Sequence, residues 1–307
     1  MKSESSTKSD PPASPPWDKN GDRHECPPRN VAGNFFVDDT CIDCDLCRQI
    51  APGSFRREAE QSVVCSQPET PSEVRAVKMS LLTCPTGSIG TRKKADLRQA
   101  RRSYPDPIER NVYFCGFASR HSFGASSYLI VRPGGNVLVD SPRFSRALVR
   151  RIEELGGVST MFLSHRDDVA DHEKFHAHFG CDRIIHTHEG RAVRAERFLE
   201  GTSAVELDRD LTAIPTPGHT RGHAVLLYAD RFLFTGDHLA WSPNYKHLIA
   251  FRRHNWYSWP ETIRSMALLL DYRFEWVLPG HGRRAHYPEG LMHQKVSECV
   301  EWMKRVV

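Results

Sequence analysis

Apolar positions are scarce over residues 1–33, where Pro11, Pro12, Pro15, Pro16, Pro27 and Pro28 stand among charges. That stretch offers no face to bury and is expected to be a disordered tail. Residues 34–91 carry a compact, cysteine-bearing pattern. Residues 92–110 are strongly basic (Arg92, Lys93, Lys94, Arg98, Arg101, Arg102) and end in Pro105 and Pro107. They read as a solvated linker or short exposed helix, or else as a docking surface for an acidic partner. From residue 111 to 307 strands and helices alternate. Short β-type runs at 127–131 and 137–139 flank Pro133-Gly134-Gly135-Asn136, a hairpin signature. Residues 145–155 have helical periodicity and stop at Gly156-Gly157. Further strands are predicted at 161–163, 183–185, 224–228, 231–234 and 276–278, and helices at 262–270 and 292–300.

The chain has 307 residues, 39% hydrophobic and 26% charged, which suits a soluble globular protein with room for two domains. A formal net charge of +4 is small for this length and gives no reason to expect nucleic-acid or membrane binding. No run approaches the roughly 18–20 apolar residues of a membrane span. The polar N-terminus has no apolar core of a secretory signal, so a cytoplasmic location is expected. Nine cysteines in that setting point to metal or redox chemistry rather than disulfides. Sixteen histidines, several beside acids, point the same way.

Cys41, Cys44 and Cys47 form C-x-x-C-x-x-C, and Cys84 precedes Pro85. Two intervening residues let the backbone wrap one corner of a cubane, with each sulfur reaching a different iron. A remote cysteine closes the site. The pattern resembles the bacterial ferredoxin family, which implies an α+β ferredoxin-like module holding one [4Fe–4S] cluster. A second cluster would need a cysteine where Ala51 precedes Pro52, and others at Val74, Val77 and Ser80. One cluster is therefore expected. A zinc knuckle on the same four thiols is the bland alternative, but Cys84-Pro-Thr-Gly-Ser-Ile looks like a ferredoxin closing turn. Cys26, Cys65, Cys115, Cys181 and Cys299 lack such spacing and read as structural thiols.

Four further motifs follow in series: Ser164-His165-Arg-Asp167-Asp168-Val-Ala-Asp171-His172, Thr216-Pro-Gly-His219-Thr-Arg-Gly-His223, Thr235-Gly-Asp237-His238 and Pro279-Gly-His281-Gly282. In order and context they resemble the metallo-β-lactamase superfamily, with Thr-Pro-Gly-His-Thr similar to glyoxalase II-like members. The resemblance implies an αββα sandwich over residues 111–307 and two divalent metals, zinc or iron. It assigns His165, His219 and Asp237 to one metal and Asp171, His172 and His281 to the other, with Asp237 between them. Asp171 would ligate and orient. The family usually reads H-x-H-x-D-H, whereas here the first His and the Asp-His pair stand two residues further apart. Asp167 takes the slot two after His165, with Asp168 its close competitor; either replaces an imidazole by a carboxylate and favours harder ions. His223 and His238 are expected to orient ligands. His176, His178, His186 and His188 are expected to be structural or solvent-facing. Residues 244–259, rich in Tyr, Trp, Arg and His, are expected to face substrate or to be an ordinary surface loop.

Three functions remain open on these residues. The first is hydrolysis of a small-molecule ester, thioester or amide by metal-activated water. The second is di-iron redox catalysis fed by the cluster and a redox partner protein. The third is a non-catalytic electron carrier or redox sensor.

Overall fold

The computed structural model describes residues 29–190 and 192–306. Most of the expected tail, residues 1–28, lies outside the described residues. Its end does not behave as a tail: the Asn30 side chain bridges Val37 and Val64, and Val31 N–H donates to Val64 O at 3.0 Å.

The cysteine-bearing segment builds β1 (Phe35–Val37), α1 (Leu46–Ile50), β2 (Phe55–Glu58), β3 (Gln61–Val64), α2 (Pro71–Thr83) and β4 (Ile89–Thr91). Strands β1 and β4 pair antiparallel, and β2 and β3 form a hairpin. Helix α2 starts where the sequence offers every start signal. Thr70 and Glu73 form a reciprocal capping box, and Pro71 occupies the first turn. Phe35, Val37, Phe55, Val64, Val77 and Ile89 close a small core around Cys47.

The chain continues through α3 (Arg98–Arg102), β5 (Asp106–Glu109), β6 (Val112–Phe114), β7 (Tyr128–Ile130), β8 (Val137–Val139), α4 (Arg146–Glu154), β9 (Thr160–Phe162), α5 (His172–Phe179), β10 (Asp182–His186) and β11 (Arg197–Leu199). The last part comprises β12 (Val205–Asp208), β13 (Leu211–Pro215), β14 (Ala224–Tyr228), β15 (Phe232–Gly236), β16 (Ala240–Ser242), β17 (His247–Ile249), α6 (Trp259–Leu268), β18 (Trp276–Pro279), β19 (Ala285–His286) and α7 (Glu289–Arg305). One sheet runs β11-β10-β9-β8-β7-β6-β5 and a second runs β12-β13-β14-β15-β18-β19. The strands alternate their side chains between two cores, as pleating requires. Ala224 and Leu226 of β14, Phe232 and Phe234 of β15 and Leu278 of β18 face the space shared with the first sheet. Their neighbours Val225, Leu227, Leu233 and Val277 face α6 and α7, where Met266, Met292 and Val296 meet them. On the far side α4 and α5 cover the first sheet through Leu148, Ile152 and Phe175. The arrangement is an αββα sandwich, as expected. Among the described residues no helix is long and apolar enough to cross a membrane.

Residues 92–110 are not a free linker. Strand β5 adds an edge to the first sheet, with Asp106 opposite Phe114. Ala100 and Tyr104 are buried in the same core as Phe114 and Phe117, and Leu46, Met79 and Leu82 of the cysteine module enter that core. The Tyr104 hydroxyl lies 2.5 Å from Thr83 Oγ1 and 3.2 Å from Met79 O. The basic side chains stay outside while every third or fourth residue seals the seam, a pattern the charge count conceals.

Candidate metal centres

The three cysteines of the repeat and the remote Cys84 converge. Cys41, Cys44, Cys47 and Cys84 line one small enclosed space with Val37, Ile42, Leu46 and Ile89, and none is in a disulfide. Asp43 and Asp45 both adopt positive φ, 58° and 67°, which folds the chain around that space. Burial pushes the Cys47 thiol up to about 12 and also raises Cys41 and Cys44. Four thiols crowded where a bare thiolate is disfavoured fit a group that supplies positive charge to all of them, as an iron–sulfur core does.

The second centre gathers on loops at the C-terminal ends of β9, β13, β15 and β18. His165 Nε2 lies 3.8 Å from Asp237 Oδ2 and 3.9 Å from Asp167 Oδ2; His219 Nε2 lies 3.7 Å and 3.5 Å from the same two oxygens. Ligands about 2.1 Å from a tetrahedral ion stand roughly 3.4 Å apart. His165, His219 and Asp237 are therefore spaced as if around one ion, with Asp167 beside the two histidines. Asp168, Asp237 and His281 form a second group, with ligand atoms all within 4.8 Å of one another. Asp237 belongs to both groups.

Asp171 and His172 do not join them. Asp171 accepts from Phe144 N–H at 2.8 Å and from Lys174 Nζ at 2.7 Å, at the start of α5. His172 Nδ1 lies 3.1 Å from the Arg183 guanidinium. The two extra residues after His165 explain the correction. They lengthen the turn before α5, carry the Asp-His pair past the pocket and leave Asp168 in the vacated place. Asp168 thus enters the second group rather than competing with Asp167 for the first. The sequence signal was the doubled aspartate itself.

Several polar atoms in this pocket are buried with no hydrogen-bond partner: His165 Nε2, both His219 ring nitrogens, both Asp168 carboxylate oxygens and His281 Nε2. Orphaned buried polar atoms cost about 1–3 kcal/mol each. His165 Nε2 and His219 Nε2 both face Asp237, which fits a bound cation. Burial raises Asp168 well above the usual carboxylate range. Burial also drives His165 down to about 4, so its imidazole is a neutral donor. Burial opposes charge on His281, but the Asp237 and Asp168 carboxylates overcome it and hold the ring protonated up to about 10. That proton occupies the place of a cation.

The surrounding residues orient the ligands. Ser164 Oγ lies 2.9 Å from His165 Nδ1, leaving Nε2 to face the pocket. Asp140, itself buried, accepts from Ser164 N–H at 2.8 Å. Asp237 N–H donates to His223 Nε2 at 3.2 Å, so the His223 Nδ1 proton points to Thr216 Oγ1 at 2.9 Å. His223 is thus bonded to the backbone of Asp237. His186 meets Gly201 O, His176 meets Cys181 O and His178 meets Glu153, all away from the pocket.

An open cleft adjoins the first group, lined by Arg166, Asp167, Thr220, Arg221, Trp256 and Tyr257. Trp256 and Tyr257 are 65% and 49% exposed, yet both of their N–H groups donate to His219 O, at 2.9 Å and 3.1 Å. The aromatic rim is thus pinned to a ligand-bearing turn. Arg166 pairs with the buried Glu189.

Comparison with known proteins agrees with this layout. Residues 37–91 match the family described as the 4Fe-4S single cluster domain of Ferredoxin I. Solved structures similar to the chain include the DIM-1 metallo-β-lactamase exposed to ceftazidime, at 18% identity over 64% of this chain and 95% of that one, with a TM-score of 0.51. The metallo-β-lactamase of Hirschia baltica matches at 15% identity, covering 64% and 95%, with a TM-score of 0.50. TMB-1 matches at 14% identity, covering 65% and 97%, with a TM-score of 0.52. No curated protein matches the chain. The chain thus joins a single-cluster ferredoxin domain to a metallo-β-lactamase fold.

Proposed function

We propose that the chain is a metal-dependent hydrolase of small ester, thioester or amide substrates, with its pocket beside a [4Fe–4S] module. One observation carries this reading: two ligand groups that share Asp237 lie beside an open, aromatic- and arginine-rimmed cleft. His165, Asp167, His219 and Asp237 would hold one ion, and Asp168, Asp237 and His281 the other. Divalent ions held there supply Lewis acidity and activate water near neutral pH. Trp256 and Tyr257 offer flat apolar surface to a substrate. Arg221, which no carboxylate pairs among the described residues, offers a positive charge to an anionic substituent. Asp167 is held below the usual carboxylate range by His219 beside it, so it is ionised and available as a ligand at the mouth of the cleft.

The test is hydrolysis of nitrophenyl esters, acyl thioesters and anilides by the full chain loaded with zinc. Chelator-reversible turnover that disappears in Asp237→Ala supports the reading. No turnover of any of the three classes by fully metal-loaded protein would sink it.

A second reading, a di-iron oxidoreductase, is favoured by the donor set. Asp167, Asp168 and Asp237 supply as many donors as His165, His219 and His281, and oxygen donors suit harder ions. Metal analysis after anaerobic purification separates the two readings: about two zincs beside the cluster's irons, or iron in both places.

A further inference from the structure

Two segments of the cysteine module reach the turn that carries His281. Asp45, next to Cys44, accepts from Arg283 in a two-point ion pair: Nε to Oδ2 at 2.6 Å and an outer guanidinium nitrogen to Oδ1 at 3.0 Å. Gln49 Nε2 donates to Gly282 O at 3.2 Å. His281, Gly282 and Arg283 are consecutive, so the bonded route from Cys44 to His281 crosses a single non-covalent gap, the Asp45–Arg283 pair. A second route reinforces it. Gly124 packs directly on Cys44, and a Cβ there would stand 2.7 Å from Cys44 Cβ and 3.3 Å from its Sγ. Two residues further on, Ser126 N–H donates to Gly280 O at 2.7 Å. The φ of Gly124 is +86°, so both its conformation and its close approach require glycine.

Structural support of the fold alone would need neither route to end beside a ligand. Both end within two residues of His281, and the Asp45–Arg283 pair and the Gly124 contact both begin at or beside Cys44. Arg48, which binds Asp43 and Asp45, fixes the same turn from the inside.

We propose that the Cys44–Asp45 turn and the Gly280–Arg283 turn form a built path for single electrons between the cluster site and the metal pocket. The inference rests on the redox reading of the pocket given above. In each transfer one electron leaves the reduced cluster site and one arrives at an iron in the pocket; no bond is made or broken, and no proton has to move. A low-potential one-electron donor protein restores the cluster, with dithionite as its stand-in in the test.

The experiment uses the full chain with an intact cluster. First, dithionite-reduced protein is loaded in the pocket with zinc or with paramagnetic cobalt(II). Cobalt should broaden the cluster's electron paramagnetic resonance signal and speed its relaxation; an unchanged signal at full cobalt occupancy would overturn the path. Second, the reduced cluster is followed by visible absorption in chains whose pocket holds ferric iron or zinc. Oxidation should occur in the iron-loaded chain alone, at a rate independent of protein concentration. Arg283→Gln should slow it at least tenfold with the cluster spectrum retained. If that variant loses the cluster, Asp45→Asn keeps the shape and serves instead. A rate proportional to protein concentration, or one that neither variant changes, would overturn the path. Failure of the redox reading is separable: pocket iron that dithionite and ferricyanide cannot cycle defeats that reading. Iron that cycles with those reagents but never draws on the cluster defeats the path.

Discussion

Asp168 and Gly280 fit against each other with no room for a side chain between them: a Cβ on residue 280 would stand 2.5 Å from Asp168 Oδ2 and 3.1 Å from Asp237 Oδ1. Contacts below 3.0 Å force something to move, and here what must move is a carboxylate shared by the second group of ligands. Gly280→Ala should therefore lower metal content from about two to about one per chain and leave cluster absorption unchanged. Strain of this kind costs about 1–3 kcal/mol. Metal analysis with a visible spectrum on the same sample checks both parts.

Asp168 and Asp171 can be told apart. Asp168→Asn should lose one metal, because its carboxylate belongs to the second group. Asp171→Ala should keep both metals and destabilise by about 1 kcal/mol through its lost bonds to Phe144 and Lys174. Loss of metal from Asp171→Ala with retention in Asp168→Asn would reverse the assignment.

Metal uptake should strengthen with pH. His281 is held protonated up to about 10 in the metal-free pocket by Asp237 and Asp168. A ligand nitrogen must give up that proton, so an ion competes with it at every pH below this value. Affinity should rise about tenfold per pH unit between pH 7 and 9 for each proton displaced, then level off above the raised pKa. His165, already neutral above about 4, adds nothing to the slope there. Chelator competition across pH, with proton release followed in weak buffer, measures it. A flat profile would contradict the His281 assignment.

Cys84→Ser should remove the cluster and keep the downstream metals, because Cys84 lines the thiol space and no ligand of the second pocket. Absorption near the cluster's visible band should vanish while zinc binding persists. Colour that survives the substitution would break the four-cysteine assignment.

Trp256→Ala tests the cleft. The ring stands over His219, with centroids 6.4 Å apart, and is largely exposed. Its loss should raise KM about tenfold and leave kcat within a factor of about three, the pattern of a group that binds ground and transition states alike. An unchanged KM would return residues 244–259 to the ordinary surface.

The parts that sequence made legible are those with short-range signatures. Cys41, Cys44, Cys47 and Cys84 announced themselves by spacing, and His165, His219, Asp237 and His281 by falling after apolar strands. The central strands were visible as continuous apolar runs, because a strand covered on both faces has no polar alternation to hide it. Weak edge strands such as Asp106–Glu109 and Val205–Asp208 were missed, since exposed edges carry charges and prolines that read as loop. The Asp171–His172 pair was misplaced because a family spacing was carried across a two-residue insertion. Backbone geometry, not residue type, decides which carboxylate reaches inward. The Asp45–Arg283 pair was invisible for a simpler reason: 238 positions separate its partners, and nothing local marks either as interfacial.

The seam sealed by Leu46, Met79, Leu82, Ala100 and Tyr104 has a consequence for how the molecule moves. A carrier that swings on a tether needs a hydrated joint, and this joint is dry. Severing the polypeptide between residues 91 and 92 would strip both fragments of shared apolar cover. The thiol cage and the imidazole–carboxylate pocket share this apolar cover, so heat or denaturant should dismantle them in one cooperative step.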